Sequence, residues 1–147
     1  MLQHELTADD IKKMEEEIEH RKVVVRKELL AHVKEARAHG DLSENFEYHA
    51  AKKEKNQNES RIRYLERMIK NAKVIEDHSE EDQVGLNKTV TLFFEEDQEE
   101  DDFSLVTTIL ADSMKNRVSI ESPIGKALLG HRVGERVFIS VNPNYGR

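Results

Sequence analysis

Between Ile11 and Ala36 the apolar residues recur as Ile11, Met14, Ile18, Val25, Leu29, Val33 and Ala36, in steps of three, four or seven. That spacing puts a stripe of side chains on one face of a helix, as in a coiled-coil seam. Arg21 or Lys22 interrupts the stripe once. Thr7-Ala-Asp-Asp10 predicts the helix start, with Thr7 as cap, Asp10 at the third helical position, and Leu6 and Ile11 spaced for a hydrophobic staple. Gly40 predicts its end. A second stripe follows at Phe46, Ala50, Ile62, Leu65, Ile69, Ala72 and Ile75. Folding the chain back at residues 40–43 sets Ala50 against Ala36, Ile62 against Val25, Ile69 against Ile18 and Ile75 against Ile11. The register closes without an insertion, which predicts an antiparallel hairpin rather than one long helix. At 1.5 Å per residue its tip stands about 45–50 Å from its base. Lys52 to Arg61 is nearly all polar, so this part of the pair is expected to pack weakly.

After Ile75 the period changes. Residues 76–87 are acidic and contain Ser and Gly, and read as a linker with the domain boundary near 77–84. Thr89–Phe94, Phe103–Leu110, Arg117–Ile120 and Glu135–Val141 read as strands, with Glu95 to Asp102 as an acidic connecting loop. Ser122-Pro123 opens a short helix over Ile124–Leu129, with Ser122 as cap, Pro123 at the first position and Gly130 past the end. The expected class is α+β: a long helical hairpin over residues 1–77, then a small domain over 78–147 with one helix across a twisted sheet.

Composition agrees with an extended element. Of 147 residues, 36% are charged and only 5% aromatic, thin material for one large core. The net charge of −7 argues against generic duplex DNA binding. The charge is segregated, however. Residues 48–73 hold eight Lys/Arg against three Glu, and residues 76–102 hold twelve acids against one Lys. With no cysteine, disulfides and thiolate metal sites are excluded. The N-terminus lacks the order of a signal peptide, and no apolar run approaches a membrane span, so a cytoplasmic protein is expected.

The candidate chemistry gathers at the break, His39-Gly-Asp-Leu-Ser-Glu-Asn-Phe-Glu-Tyr-His-Ala50. Asp41 and Glu44 have the spacing of a capping box for the second helix. The alternative is that they stand exposed as hard oxygen ligands for Mg²⁺, which two carboxylates alone cannot enclose, so that a partner must supply the rest. His39 and His49 flank the turn without any zinc spacing. Lys52, Lys53, Lys55, Arg61 and Arg63 could form a solvated face or follow nucleic-acid phosphates. No phosphate-cradling glycine loop, nucleophile elbow or complete catalytic constellation is present.

Two stretches carry a family resemblance. Residues 40–75, GDLSENFEYHAAK through RIRYLERMIKNAKVI, resemble the signature of the bacterial Gre transcript-cleavage factors. SIESPIGKALLG at 119–130, with Val133-Gly-Glu, is similar to their second motif. The resemblance implies a coiled-coil hairpin followed by an FKBP-like domain. It further implies a monomer that inserts its hairpin into the secondary channel of backtracked RNA polymerase and has no membrane partner. Asp41 and Glu44 match the pair that helps hold the second Mg²⁺, so that the polymerase cuts its own transcript and the factor itself is no enzyme. Glu121, Ser122 and Pro123 match the segment that docks on the channel rim, and Lys52, Lys53 and Arg61 match a patch contacting the nascent RNA 3′ segment. Two positions depart from the pattern. The family domain runs into another strand beyond its Pro-x-x-Gly turn, here Pro143 to Gly146, so either the domain lacks that strand or the chain is a shortened one; and Phe46 stands where the family usually has a small residue.

Three rival readings make different demands. An inhibitor entering the same channel would bind without cleavage. A peptidyl-prolyl isomerase with a chaperone arm would need an aromatic pocket, for which Phe93, Phe94, Phe103, Phe138 and Tyr145 are few. A structural adaptor would be indifferent to Asp41 and Glu44.

Overall fold

A computed structural model describes residues 3–40 and 44–139. The chain divides into two compact units, Asp9–Ala72 and a second made of residues 1–8 with 73–147.

In the first unit, helix α1 (Ala8–His20) passes through a π-helical turn (Arg21–Val25) into α2 (Arg26–Arg37), and α3 (Phe46–Lys70) runs back alongside. The start at Ala8 is the one the Thr7 cap predicts. The seam differs from the expected one on the return helix. Phe46 is 84% exposed and Ala50 is exposed, whereas Tyr48 is buried and Ala51 and Lys55 are half-buried. Asn58 is buried, and beyond it so are Ile62, Leu65 and Met68. Polar residues occupy the seam where the sequence suggested a gap, so Phe46 and Ala50 fall on the outer face. The polar positions are satisfied across the pair. Arg26 grips Glu59 through two hydrogen bonds of 2.8 and 2.9 Å, and Lys22 reaches Glu66 at 3.1 Å. The interruption expected at Arg21 or Lys22 is the π turn itself.

α3 ends at Lys70, five residues before Ile75. Asn71 caps it, and Ala72–Val74 forms strand β2, paired with β1 (His4–Leu6) in a two-stranded sheet. The Ile75 amide donates to the Leu6 carbonyl at 2.9 Å, and Ile75 packs with the second unit's core. Ile75 therefore belongs to the second unit rather than to the seam of the return helix. The expected linker over 76–87 is folded too, because it carries Val84 and Leu86 into that core. Asp77 braces it, accepting from the Ser79 hydroxyl at 2.9 Å and from the Leu86 amide at 3.4 Å.

The core of the second unit is Val84, Leu86, Leu105, Ile120 and Leu128, with Ile75, Val90, Leu92, Val118 and Ile124 packed around it. A three-stranded sheet in the order β3 (Thr89–Phe94), β4 (Glu99–Val106), β5 (Arg117–Ser119) supplies much of it. β3 and β4 are antiparallel, Thr89 opposite Ser104 and Phe94 opposite Glu99, and β5 runs parallel to β4. The acidic residues Glu99 to Asp102, expected in a loop, are strand. Their side chains are exposed, so backbone pairing proceeds without burying charge. Only Glu95–Gln98 turns, with Gln98 at φ +58°. β4 stops at Val106, and Thr108–Leu110 is a 3₁₀ turn rather than strand. Residues 136–139 form no ladder, although Val137 and Ile139 pack on the core as their alternation predicts. Ser140–Val141 and the Pro-x-x-Gly segment lie outside the described residues. Among the described residues, no helix is long and apolar enough to cross a membrane.

Helix α4 (Pro123–Leu128) begins as predicted, with Ser122 accepting from the Gly125 amide at 3.1 Å. Gly125 is obligatory for packing: a Cβ there would lie 2.0 Å from the Ser119 carbonyl oxygen.

Candidate functional site

At the tip the cap of α3 is Asn45. Its Oδ1 accepts from the Tyr48 amide at 3.0 Å, and its Nδ2 donates to the Ala36 carbonyl at 2.6 Å. One side chain thus starts the return helix and ties it to the last turn of the outgoing one. A capping box from Asp41 to Glu44 is accordingly not what opens α3. Asp41, four residues earlier, offers the same cap chemistry and hides Asn45 in the sequence; the signal is Gly40, whose φ of +129° ends the outgoing path. Glu44 is exposed immediately before the cap, and Asp41 lies outside the described residues. Of the flanking histidines, His39 stands 3.7 Å from Glu47 and His49 lies edge-on to Tyr48 at 5.4 Å. Among the described residues no group of three His, Asp or Glu side chains could hold a metal.

Behind the tip, Tyr48 lies between cations. The Arg37 guanidinium is 5.6 Å and the Lys52 ammonium 6.0 Å from its ring centre. The Arg37 hydrogen bond, then the Lys52 charge, pull the phenol below its ordinary pKa. Lys52 and Lys53 share one stripe of α3 with His49, Asn56, Gln57 and Ser60, lining an open concavity of about 450 Å³. Among the described residues, no acid lines this concavity. Arg61 is not part of it. Its Nε donates to Glu17 at 3.0 Å and its guanidinium stacks 5.4 Å from the Tyr64 ring centre. The structure thus brings Lys52 and Lys53 together and holds Arg61 in the seam.

In the second unit, the predicted docking residues are engaged with their own scaffold. Glu121 accepts from the Thr108 hydroxyl and lies 3.1 Å from His4 Nδ1. Burial pushes its pKa up, but the hydrogen bonds from Thr108 and His4 outweigh that and hold it below the ordinary carboxylate range. The Ser122 hydroxyl donates to the Ser119 carbonyl at 2.6 Å while capping α4, and Pro123 is exposed at the first helical position. His4 and Thr108 carried no sequence signal for this cluster, since they lie 117 and 13 residues from Glu121.

Comparison with known proteins decides the family. The model of the N-terminal domain of transcription elongation factors GreA and GreB matches residues 4–74, and that of their C-terminal domain matches residues 78–144. The chain belongs to the GreA/GreB family of transcription elongation factors. Transcription elongation factor GreA of Caldanaerobacter subterraneus subsp. tengcongensis is 49% identical over 137 residues, covering 92% of this chain and 87% of that one. GreA of Bacillus subtilis strain 168 is 45% identical over 134 residues, covering 91% and 85%. Among solved structures, the transcription factor Gfh1 aligns with a TM-score of 0.51 at 28% identity, over 95% of this chain and 90% of that one. The Gre family therefore accounts for both units and for nearly the whole sequence.

Proposed function

We propose that this Gre-family chain, acting as a monomer, enters the secondary channel of bacterial RNA polymerase tip first and stimulates cleavage of backtracked nascent RNA. The observation that carries the reading is the Asn45 cap. Because Asn45 opens α3, Glu44 has no capping work and stays exposed on the approach to the tip. Glu44 and Asp41 are hard oxygen donors of the kind Mg²⁺ takes, and a pair fits that ion only when other ligands come from outside the chain. The polymerase active centre is the source of those ligands in this reading, and the chain is not itself a catalyst. Mg²⁺ held in this way would lower the pKa of water and offset charge on a phosphodiester. Lys52 and Lys53 line the path of the RNA 3′ segment. Glu121, Ser122 and Pro123 dock the second unit, which we read as an FKBP-like domain, on the channel rim; Pro123 is the exposed contact, and Glu121 and Ser122 set its backbone.

The test is shortening of end-labelled RNA in halted, backtracked polymerase with Mg²⁺. Glu44→Gln and Asp41→Asn should each slow shortening about a hundredfold, the scale for removing one preorganised stabilising group. Both should still compete with the unaltered protein for polymerase. Binding of the unaltered protein without shortening would establish an inhibitor instead. Shortening that survives both substitutions would remove the acids from the reaction.

A further inference from the structure

The two hairpin helices do not carry the same number of residues per seam. On α3, Tyr48, Ala51, Lys55, Asn58, Ile62, Leu65 and Ile69 recur at alternating steps of three and four, and all are buried or half-buried. On the outgoing helix the same rhythm holds for Ile11, Met14, Ile18, Arg21 and Val25, and again for Arg26, Leu29, Val33 and Ala36. The two stretches are out of step by one residue. Val25 and Arg26, neighbours in sequence, are both half-buried, so two residues share what is one seam position. In an unbroken α-helix a surplus residue turns everything beyond it by about 100° and takes the far stripe off the seam. Here the π turn at Arg21–Val25 absorbs it, with the Arg26 amide donating five residues back to the Arg21 carbonyl.

What holds the surplus at this level comes from the opposite helix. Asn58, only 3% exposed, donates from Nδ2 to that same Arg21 carbonyl at 3.3 Å and accepts from Arg21 Nη1 at 3.0 Å. Arg21 Nε is held in turn by Glu17 at 2.7 Å, and Glu17 also accepts from Arg61. Of the rest of the turn, Lys22, Val23 and Val24 are exposed, and Lys22 reaches Glu66 on α3 at 3.1 Å. A single buried Asn in a coiled coil selects register at some expense of stability.

We propose that Asn58 and Arg21 are positioning residues: they pin the surplus residue at the π turn and so fix the rotation and reach of the tip-bearing half of the hairpin. Once the pin is lost, the surplus residue is free to migrate toward the tip. The hairpin stays folded while Glu44 and its neighbours are presented in several placements. Misplacement by about 1 Å is enough to lose a large part of a rate that depends on orientation.

This rests on the proposed cleavage reading, and the experiment separates the two. Three full-length variants are compared with the unaltered protein: Asn58→Leu, deletion of Val24, and both together. In Asn58→Leu, amide hydrogen exchange over residues 21–30 should accelerate by about tenfold or more while exchange at Ile62–Met68 is unchanged. Its half-saturating concentration in the RNA-shortening assay should stay constant while the plateau rate falls about tenfold. Deleting Val24 joins the two stretches into one uninterrupted rhythm, so in that background Asn58→Leu should leave the plateau unchanged. A deletion that restores a substituted helix is not expected of a residue that only adds stability. Unchanged exchange in Asn58→Leu overturns the pin, as does an equal loss of plateau with and without Val24. If Asn58→Leu alone loses its helical signal, the pair of Val24-deleted proteins carries the comparison. If the unaltered protein shortens no RNA, the cleavage reading falls and exchange alone decides the pin.

Discussion

The two halves of the hairpin are held by different physics. Toward the base, Met14, Ile62, Leu65 and Met68 are buried, and Leu65 is fully so. Toward the tip, among the described residues, only Ala36 and Tyr48 are buried, and the contacts are side-chain pairs such as Arg26 with Glu59, Arg37 over Tyr48, and His39 near Glu47. A buried Leu contributes roughly 1.5–3 kcal/mol by leaving water, whereas an exposed ion pair contributes about 0–1 kcal/mol. The basal half is therefore a fastened stem and the distal half a lightly held one, with the polar layer at Asn58 as the border. Local opening should begin at the tip.

Substitutions can break that contrast. Leu65→Ala should destabilise the hairpin by about 2–5 kcal/mol and unfold both halves together, read by chemical denaturation with helical circular dichroism. Val33→Ala, on the half-buried distal seam, should stay near or below about 1.5 kcal/mol, as for loss of a partly buried methyl pair. Equal losses at the two sites would dissolve the distinction between stem and tip. Asn45→Ala should remove about 0.5–2 kcal/mol, confined to hydrogen exchange of residues 46–52, since the cap acts on the first turn of α3. The smallest effect is electrostatic and belongs to the border. The Arg61 hydrogen bond holds Glu17 below its ordinary pKa, against the opposing effect of burial and with help from Arg21. A carboxylate with a depressed folded-state pKa adds stability above its unfolded value, roughly 4.3, and loses it as pH falls through the lower folded value. Glu17→Gln should therefore leave less stability to lose on acidification below about pH 4, measured as a shallower acid limb in thermal unfolding.

The same contrast decided what could be seen in the sequence. Where apolar residues make the seam, at Ile11 to Ile18 and Ile62 to Ile69, spacing alone located it. Where Lys55 and Asn58 make it, spacing pointed to Phe46 and Ala50, which share the apolar character but lie on the outer face. The burial of Asn58 depends on its partner Arg21 on the other helix, and no local pattern announces a partner. The break at Arg21 was legible as a missed step, but its form as a π turn came from the one-residue offset between two stretches that each look regular. In the second unit, Thr89–Phe94 and the Ser122-Pro123 helix start were legible because propensity and capping are local. The strand over Glu99 to Asp102 was hidden by its charge, since pairing there depends on the backbone opposite it. At the candidate site, composition and spacing brought out Lys52 and Lys53, while the hold of Glu17 on Arg61 could only be seen in three dimensions.

Strands β1 and β2 carry one further consequence. The chain leaves the second unit just after Leu6 and returns to it just before Ile75, and those two residues are hydrogen-bonded neighbours. In topological terms the arm is an insert whose entry and exit are stitched side by side. Its length can then change by equal numbers of residues on the outgoing and return helices without rethreading the sheet. Such an arm is interchangeable: a longer, shorter or differently tipped hairpin can be spliced between the same two strands, leaving the body's own strand order intact.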